Sequence, residues 1–405
     1  MKSLTMAWRN VWRNSRRTLA AVAASSLGLW SLIVYSGLMA GYLDRMERHI
    51  LDVELGDIQV HHAEYLEDPS LYRRIEQPTE VLEALEAKEL AAAPRLLGSG
   101  LAAAGDNSAG ISLIGIEVER DAKVSKVANK VAEGQWLDPA VPGEVVIGRR
   151  LAQILGIELG GEIVLLSQGA DGSMANDLYV VRGVLSQVSA QVDRGGVYMV
   201  DEAFRELMVV PEGVHQIIVR RSPSVALDAA AETAGGAAPD LDVQTWRELK
   251  PTMASMLDSA KGGLIAMFFI VYAAIGIVIL NAMLMAVFER VREFGVLKAI
   301  GVSPGGVLRL IYLETIIQTG LAIIIGVGLA LPANWYLTTV GLDLSASLEN
   351  VSVMGSSIDP IWISHVDAGT YLNPIIALVF IVSFAVVYPA LRAAFIKPIT
   401  AMRHQ

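Results

Sequence analysis

Residues Asn281–Gly301 read N-A-M-L-M-A-V-F-E-R-V-R-E-F-G-V-L-K-A-I-G, and this stretch decides how the chain is organised. A long apolar run stops at Phe288, a charged amphipathic segment follows, and Gly301 ends it. At about 3.6 residues per helical turn, that segment has one apolar and one charged face. The apolar face carries Val287, Val291, Phe294 and Leu297, and the charged face carries Glu289, Arg292 and Glu293. The stretch predicts a membrane helix followed by a short surface helix through which a soluble partner can apply force, which indicates transport or signalling.

Four segments of the 405-residue chain have the composition of transmembrane helices, at residues 18–43, 262–288, 306–334 and 372–391. Each reaches the about 20 residues that a helix needs to cross a bilayer. The first follows a basic N-terminus, as the core of a signal peptide does, but its 26 residues without a charge exceed the about 7–15 of a cleavable core. We therefore expect a retained span and a membrane protein with four transmembrane helices.

Basic residues are unevenly distributed among the segments that flank these spans. Five precede the first span, four lie in or beside the connection 289–305, and three follow the last span, whereas residues 335–371 have none. Basic loops stay cytoplasmic, so we expect the termini 1–17 and 392–405 and the connection 289–305 inside. Residues 44–261 and the loop 335–371 are then expected outside.

The expected outside segment has the pattern of a large α+β domain inserted between the first two spans. Short alternating or β-branched runs predict strands at 57–61, 145–147, 163–167, 179–185, 196–200 and 216–219. Helices are predicted at 79–90, 149–155, 201–208 and 224–234. Small residues at 91–104 and 235–240 suggest connectors that divide the domain in two. Residues 43–261 carry 20 basic and 35 acidic side chains, which argues against a nucleic-acid partner.

Two helical stalks, 42–49 and 251–261, are expected to continue the first and second spans outward. Apolar residues recur at helical spacing on these stalks and just before the first one, namely Met39, Leu43, Met46, Met253, Met256 and Leu257. They pack against each other or a partner chain, or they also hold an apolar ligand. Flexible methionine side chains adapt to variable apolar shapes, which keeps the second interpretation open.

The sequence lacks the motifs that are typical of nucleotide-binding and catalytic sites. There is no phosphate loop of the form G-x-x-x-x-G-K-[ST], no H-E-x-x-H and no G-x-S-x-G. The chain has no cysteine, which excludes disulfides and thiolate chemistry. Adjacent His61 and His62 point to opposite faces of a strand, so we predict surface histidines and no metal site. We expect no catalytic residue and no cofactor bound by this chain.

Two further features concern the spans. Ionisable residues are nearly absent from them, and Glu314 is the one candidate for an ion path, but we predict that it forms a structural ion pair with Arg309 or with the 289–299 helix. Gly37 and Gly41 form a G-x-x-x-G step in the first span, which lets a second helix approach closely. Packing within the chain and a dimer seam both explain that step.

Five blocks of sequence resemble the permease subunits of ABC transporters of the MacB, LolC, LolE and FtsX type. They are A-W-R-N-V-W-R-N-S-R-R at 7–17, G-D-I-Q-V-H at 56–61, G-E-V-V-I-G-R-R-L-A-Q-I-L-G at 143–156, E-R-V-R-E-F-G-V-L-K-A-I-G at 289–301 and Y-P-A-L-R-A-A-F-I-K-P-I-T-A-M-R at 388–403. The resemblance implies a coupling helix that docks on a separate ATPase, which binds the ATP and Mg. Its contact residues would be Glu289, Arg290, Arg292, Glu293, Gly295, Lys298 and Gly301.

The resemblance also implies a function. Such permeases work in pairs, identical or homologous, with two ATPase subunits in the bacterial inner membrane, and they pass ATP-driven motion to the outside domain. The G-D-I-Q-V-H block and the length favour the LolC and LolE branch, which releases lipoproteins toward a periplasmic carrier. The alternatives are MacB-like export of a peptide, lipid or antibiotic with a periplasmic adaptor, and FtsX-like signalling to a periplasmic enzyme.

Overall fold

The computed structural model of the protein describes residues 2–13, 15–186, 188–343, 352–353, 356–357 and 361–395. Its contacts divide the chain into two compact units. The first comprises Met1–Asp44, Leu257–Ser347 and Pro360–Gln405, and the second comprises Arg45–Met256 and Leu348–Asp359. Much of the predicted outer loop (344–351, 354–355 and 358–360) and of the predicted C-terminal segment (396–405) lies outside the described residues.

The described α-helices are, in chain order, α1 (Lys2–Arg13), α2 (Ser15–Ile50), α3 (Pro78–Glu86), α4 (Val118–Val124), α5 (Arg149–Leu155), α6 (Ala190–Gly195), α7 (Asp201–Met208), α8 (Leu227–Ala237), α9 (Trp246–Leu249), α10 (Pro251–Glu289), α11 (Val291–Ala299), α12 (Pro304–Thr339) and α13 (Ala368–Phe395). A π-helical turn, Leu51–Leu55, follows α2, and a 3₁₀ turn, Val127–Lys130, follows α4.

Four of these helices, α2, α10, α12 and α13, are long and apolar enough to cross a membrane, which confirms the prediction of four such helices. In the first unit each of these helices buries only a narrow stripe of side chains. On α10 the stripe is Tyr272, Ile275, Ile279, Met283 and Val287, a spacing of three or four residues that keeps them on one face. Large apolar side chains on other faces are exposed, as for Phe269 at 74%. An exposed surface of this kind suits a hydrocarbon environment and not water.

The second unit is built on one ten-stranded mixed sheet. Its strands are β1 (Ile58–His61), β2 (Ala91–Ala104), β3 (Asn107–Ile116), β4 (Val131–Gly134), β5 (Glu144–Ile147), β6 (Glu162–Gln168), β7 (Met174–Leu185), β8 (Gly196–Val200), β9 (Gln216–Arg220) and β10 (Asp242–Thr245). Nine of them follow the order β10-β1-β9-β2-β3-β8-β5-β7-β4, and β6 pairs with both β2 and β7. The pairs β3–β8 and β5–β7 are parallel and the others antiparallel. The α+β character predicted for this part is therefore confirmed.

Short two-residue strands lie near the outer loop. In the first unit β11 (Leu342–Asp343) pairs with β14 (Ile361–Trp362), and in the second β12 (Ser352–Val353) pairs with β13 (Ser356–Ser357).

The prediction of a connector at 91–104 is wrong, because these residues form β2, the longest strand, in the middle of the sheet. β2 pairs with β9 through its first residues, with β6 through its last, and with β3 from Arg95 to Ala104. Its small residues make room for α7. A Cβ on Gly98 would lie 3.2 Å from the Phe204 ring, and one on Gly115 of β3 would lie 2.7 Å from the Phe204 Cβ. The proposed division of the domain at this point is therefore wrong as well.

Candidate functional site at the break between α10 and α11

A one-residue break at Arg290 separates α10 from α11. Arg290 has φ −105° and ψ 11°, outside the helical region, and Phe294 N–H donates to its carbonyl at 2.9 Å. After α11, Gly301 adopts φ +95°, a conformation that favours glycine, and ends the segment where the sequence predicts. Ser303 then caps α12 by accepting a hydrogen bond from the Gly306 N–H at 3.2 Å. The quoted stretch thus forms a short helix with a defined start and end.

The two faces of this segment agree with the helical period. Val287, Val291 and Phe294 are 2%, 8% and 1% exposed and face the core of the first unit. Glu289 and Arg292 are exposed. The segment therefore has exposed charged residues beside a buried apolar anchor.

The seven residues implied as ATPase contacts do not form one exposed surface. Glu289, Arg292 and Gly301 are exposed, Arg290, Glu293 and Lys298 are partly exposed, and Gly295 is buried. The Lys298 Nζ donates to the Ala394 carbonyl of α13 at 2.7 Å. Arg290 also turns inward, so these two cations and Gly295 belong at least partly to the packing of the first unit.

Glu314 of α12 is the inward partner of Arg290. The Arg290 Nη1 lies 3.0 Å from Oε1 and 2.9 Å from Oε2 of Glu314, and the Asn10 Nδ2 donates to Oε1 at 2.7 Å. The side chains of Arg290 and Glu314 are 12% and 10% exposed. A structural ion pair was predicted for Glu314, with Arg309 or the 289–299 helix. The partner is the residue at the start of that segment, while Arg309 is exposed.

Two members of this site were missed by the sequence reasoning, Asn10 and Arg13 of α1. Arg13 forms an ion pair with Glu293, and Arg290 Nε donates to the same carboxylate at 3.0 Å. Their spacing is the one indication of this site in the sequence, because Asn10 and Arg13 are three residues apart and share one face of an amphipathic helix. Nothing in α1 alone indicates a partner about 300 residues away.

Gly37 and Gly41 of α2 lie against the segment 361–365 of the first unit. His365 N–H donates to the Gly37 carbonyl at 3.0 Å. A Cβ on Gly41 would lie 2.8 Å from the His365 nitrogen and would also meet the backbone of Ile363. The close approach at this G-x-x-x-G step is thus made by an extended segment before α13.

The six apolar ligand candidates lie where the chain passes from one unit to the other. Met39 and Leu43 of α2 and Leu257 of α10 belong to the first unit, and Met46, Met253 and Met256 belong to the second. Leu43 and Leu257 are buried, whereas the four methionines are partly exposed.

The prediction of surface histidines is wrong for His61, which is 1% exposed. Its ring stacks on Tyr65 with centroids 5.4 Å apart, and its Nε2 lies 3.1 Å from the Gln59 Oε1. His215 is fully buried beyond Tyr65, and its Nδ1 accepts from the Leu97 N–H at 3.0 Å. Burial lowers the pKa of both histidines to about 4, so they are neutral at pH 7. Within the described ranges, no three potential ligands are grouped to hold a metal ion.

An open groove of about 1100 Å³ lies in the second unit beside this cluster. Leu97 and Leu113, from β2 and β3, line it. Its lining also includes the exposed side chains of Leu101, Tyr72 and Met174, at 52%, 69% and 79%. Exposed large apolar residues around a concave surface are typical of a protein-interaction site.

Comparisons with known proteins place these features in a family. Residues 18–236 match the model of the MacB-like periplasmic core domain, and residues 265–398 match the FtsX-like permease C-terminal model. The lipoprotein-releasing system transmembrane protein LolC of Neisseria meningitidis serogroup B is 22% identical over 96% of this chain and 94% of its own length. The LolC protein of Xylella fastidiosa strain Temecula1 is 24% identical over the same shares.

Among solved structures, the periplasmic region of MacB from Actinobacillus actinomycetemcomitans aligns with 52% of this chain and 98% of its own, at 15% identity and a TM-score of 0.37. The first family model alone covers more than half of the chain. This chain therefore belongs to the ABC transporter permeases that combine a MacB-like periplasmic core domain with an FtsX-like permease C-terminal region, as a multi-pass inner-membrane transport subunit.

Proposed function

We propose that this chain is a LolC-like permease subunit of an ATP-driven complex that extracts lipoproteins from the outer leaflet of the inner membrane. The observation that carries the proposal is full-length similarity. Two relatives named as LolC align with 96% of this chain, across both its apolar helices and its mixed sheet. A match to the permease part alone would leave the cargo class open.

The proposed topology follows from charge. We place the N-terminus and α11 in the cytoplasm, because five basic residues precede the first span and α11 lies in a basic connection. The sheet of the second unit, encoded between α2 and α10, is then extracytoplasmic. The C-terminus is cytoplasmic too if all four apolar helices cross the membrane.

The proposed energy source is a separate ATPase that binds ATP and Mg and contacts α11. Exposed Glu289 and Arg292 supply charged groups for this contact, and buried Phe294 anchors the helix beneath them. Two ATPase copies and a second permease complete the complex. Motion of α11 would pass along α10 and α2, helices that continue to Pro251 and to Ile50 among the residues of the second unit.

The proposed cargo contacts are apolar. The partly exposed methionines Met39 and Met46 on α2, and Met253 and Met256 on α10, suit acyl chains of variable shape because thioether side chains are flexible. We assign the groove beside β2 and β3 to a soluble periplasmic partner, a carrier or an adaptor.

The test is purification of the tagged full chain from its own host in mild detergent, followed by identification of every copurified protein and lipid. The expected result is an ABC ATPase, a second permease and acylated protein. Depletion of the chain should also leave lipoproteins in the inner membrane. Correctly localised lipoproteins after depletion would refute the cargo. An adaptor with a small exported molecule would favour MacB-like export, and a periplasmic hydrolase without lipid would favour signalling.

A further inference from the structure

Five polar side chains of the first unit form a series of hydrogen bonds and ion pairs that begins and ends on α1, so that this helix closes the series into a ring. Asn10 of α1 donates to Glu314 of α12, and Glu314 pairs with Arg290. Arg290 pairs with Glu293 of α11, and Glu293 pairs with Arg13, which returns to α1. The ring therefore connects three separate helices at the break between α10 and α11.

The ring contains two arginines and two glutamates, so it is electrically neutral, and each charge has an opposite charge beside it. Its centre is the most buried part, since the side chains of Arg290 and Glu314 are 12% and 10% exposed. A cavity of about 40 Å³ adjoins the pair, with further polar lining from Thr18, Thr315 and Gln318. Charged side chains that are buried in an apolar helix bundle carry a cost in solvation free energy, and they usually have a function.

The geometry opposes independent movement of the three helices. Within α1, Asn10 and Arg13 are three residues apart and face the same side, while Ala7 and Val11 are buried as α1 packs on α12. Arg290 is the one residue between α10 and α11 without helical geometry, and it is the position where a bend is easiest. Its side chain is tied to both α11 and α12.

We propose that Glu314 is a positioning residue that holds α1, α11 and the first turns of α12 together as one moving body. A displacement applied to α11 is then passed to α12 and α1 and is not absorbed by bending at Arg290. The inference rests on the proposed function, in which an ATPase acts on α11. It adds that the N-terminal helix takes part in the movement.

The sequence is convenient for a distance measurement because it has no native cysteine. Spin labels are attached to single cysteines replacing Arg9 on α1 and Val296 on α11, both at exposed positions. In the full chain within its purified complex, we expect one narrow distance that is the same without nucleotide and after trapping with ATP and vanadate. In Glu314→Gln, which keeps the size and an acceptor for Asn10, the distribution should become at least twice as broad.

Two further variants separate positioning from general damage. Glu314→Asp keeps the carboxylate and should retain most of the narrow distribution, because Arg290 and Asn10 still have a charged acceptor. Arg309→Gln removes an exposed charge from the same helix and should leave the distance unchanged. An equally narrow distance in Glu314→Gln, a distribution in Glu314→Asp as broad as in Glu314→Gln, or a distance that shifts with nucleotide in the unmodified ring would overturn the proposal.

A coupling measurement distinguishes this inference from the proposed function. Glu314→Gln should still copurify with the ATPase and hydrolyse ATP within about twofold of the parent rate. Lipoprotein released per ATP should fall about tenfold or more, whereas a purely structural role would lower both together. If the parent complex releases no lipoprotein, the proposed cargo is wrong, and the distances alone decide on the ring.

Discussion

Acid should destabilise the second unit through His61 and His215. Both histidines are buried and neutral in the folded state, with pKa values lowered to about 4 by burial, and for His215 also by the cations Arg74 and Arg205. An unfolded histidine has a pKa of about 6.5. Between these values the unfolded chain binds protons that the folded chain does not, so the free energy of unfolding falls as the pH falls. The contribution of the neutral histidines to the free energy of unfolding is fully present above pH 6.5, and it is lost as the pH falls toward 4.

The magnitude follows from the two pKa values. Between pH 7 and pH 5, linkage gives a loss of about 2 kcal/mol for each histidine, or about 4 kcal/mol for both. Buried carboxyls such as Asp57 and Asp193, whose pKa is raised by burial, act in the opposite direction. The useful quantity is therefore the difference in pH dependence between the parent and a variant that lacks one histidine.

The assay is pulse proteolysis in urea on the full chain in detergent, following fragments of the second unit at pH 7 and pH 5. In His61→Gln the loss of unfolding free energy between these pH values should be smaller by about 2 kcal/mol, even if the variant is less stable at both. Tyr65→Phe is the matched control, because it perturbs the same ring stack and the Tyr65 pKa, raised to about 12, lies outside this range. A pH dependence in His61→Gln equal to the parent's would refute the reasoning.

Three other substitutions test packing, burial and coupling. Gly41→Ala should destabilise the detergent-solubilised chain by about 1–3 kcal/mol in thermal unfolding, because a Cβ at position 41 would meet the backbone of Ile363 and His365. Gly263→Ala is the control and should have no such effect, because there is open space around Gly263. Asp121→Asn should lower the unfolding free energy of the second unit by about 1.5–3 kcal/mol in urea, because it weakens the charged hydrogen bond from the buried Arg95 Nε at 2.8 Å; strictly additive effects of Asp121→Asn and Arg95→Met would contradict this coupling. Arg292→Glu should reduce ATPase copurification about tenfold while insertion is unchanged; undiminished copurification would exclude this contact.

The apolar helices were predictable because a long apolar run has few alternatives to a membrane helix. In the sheet, strands rich in branched residues, such as β8 and β9, fall within a residue of their predictions. β2 was missed because its residues are mostly alanine and glycine, which have low strand propensity. Their role depends on Phe204 of α7, which needs the space above Gly98 and Gly115. That contact is tertiary, and local sequence does not contain it.

The candidate site was predictable in position and not in orientation. The sequence locates the short helix after Phe288, and the helical period gives its buried face. Arg290 lies at the break, where the backbone leaves helical geometry and the period from α10 no longer sets the direction of the side chain. The resemblance assigned Arg290 to an ATPase contact, but its charge is directed to Glu314.

The Arg290–Glu314 pair is better explained by specificity of position than by stability. Removing two charges from water costs several kcal/mol for each, and their attraction seldom exceeds that cost by much. An apolar pair of similar volume would hold the bundle about as well. However, apolar side chains tolerate sliding and rotation, whereas the Glu314 carboxylate accepts from both Arg290 and Asn10 in one arrangement. A helix that only had to be anchored would not need this directionality, but a helix that must pass on a displacement does.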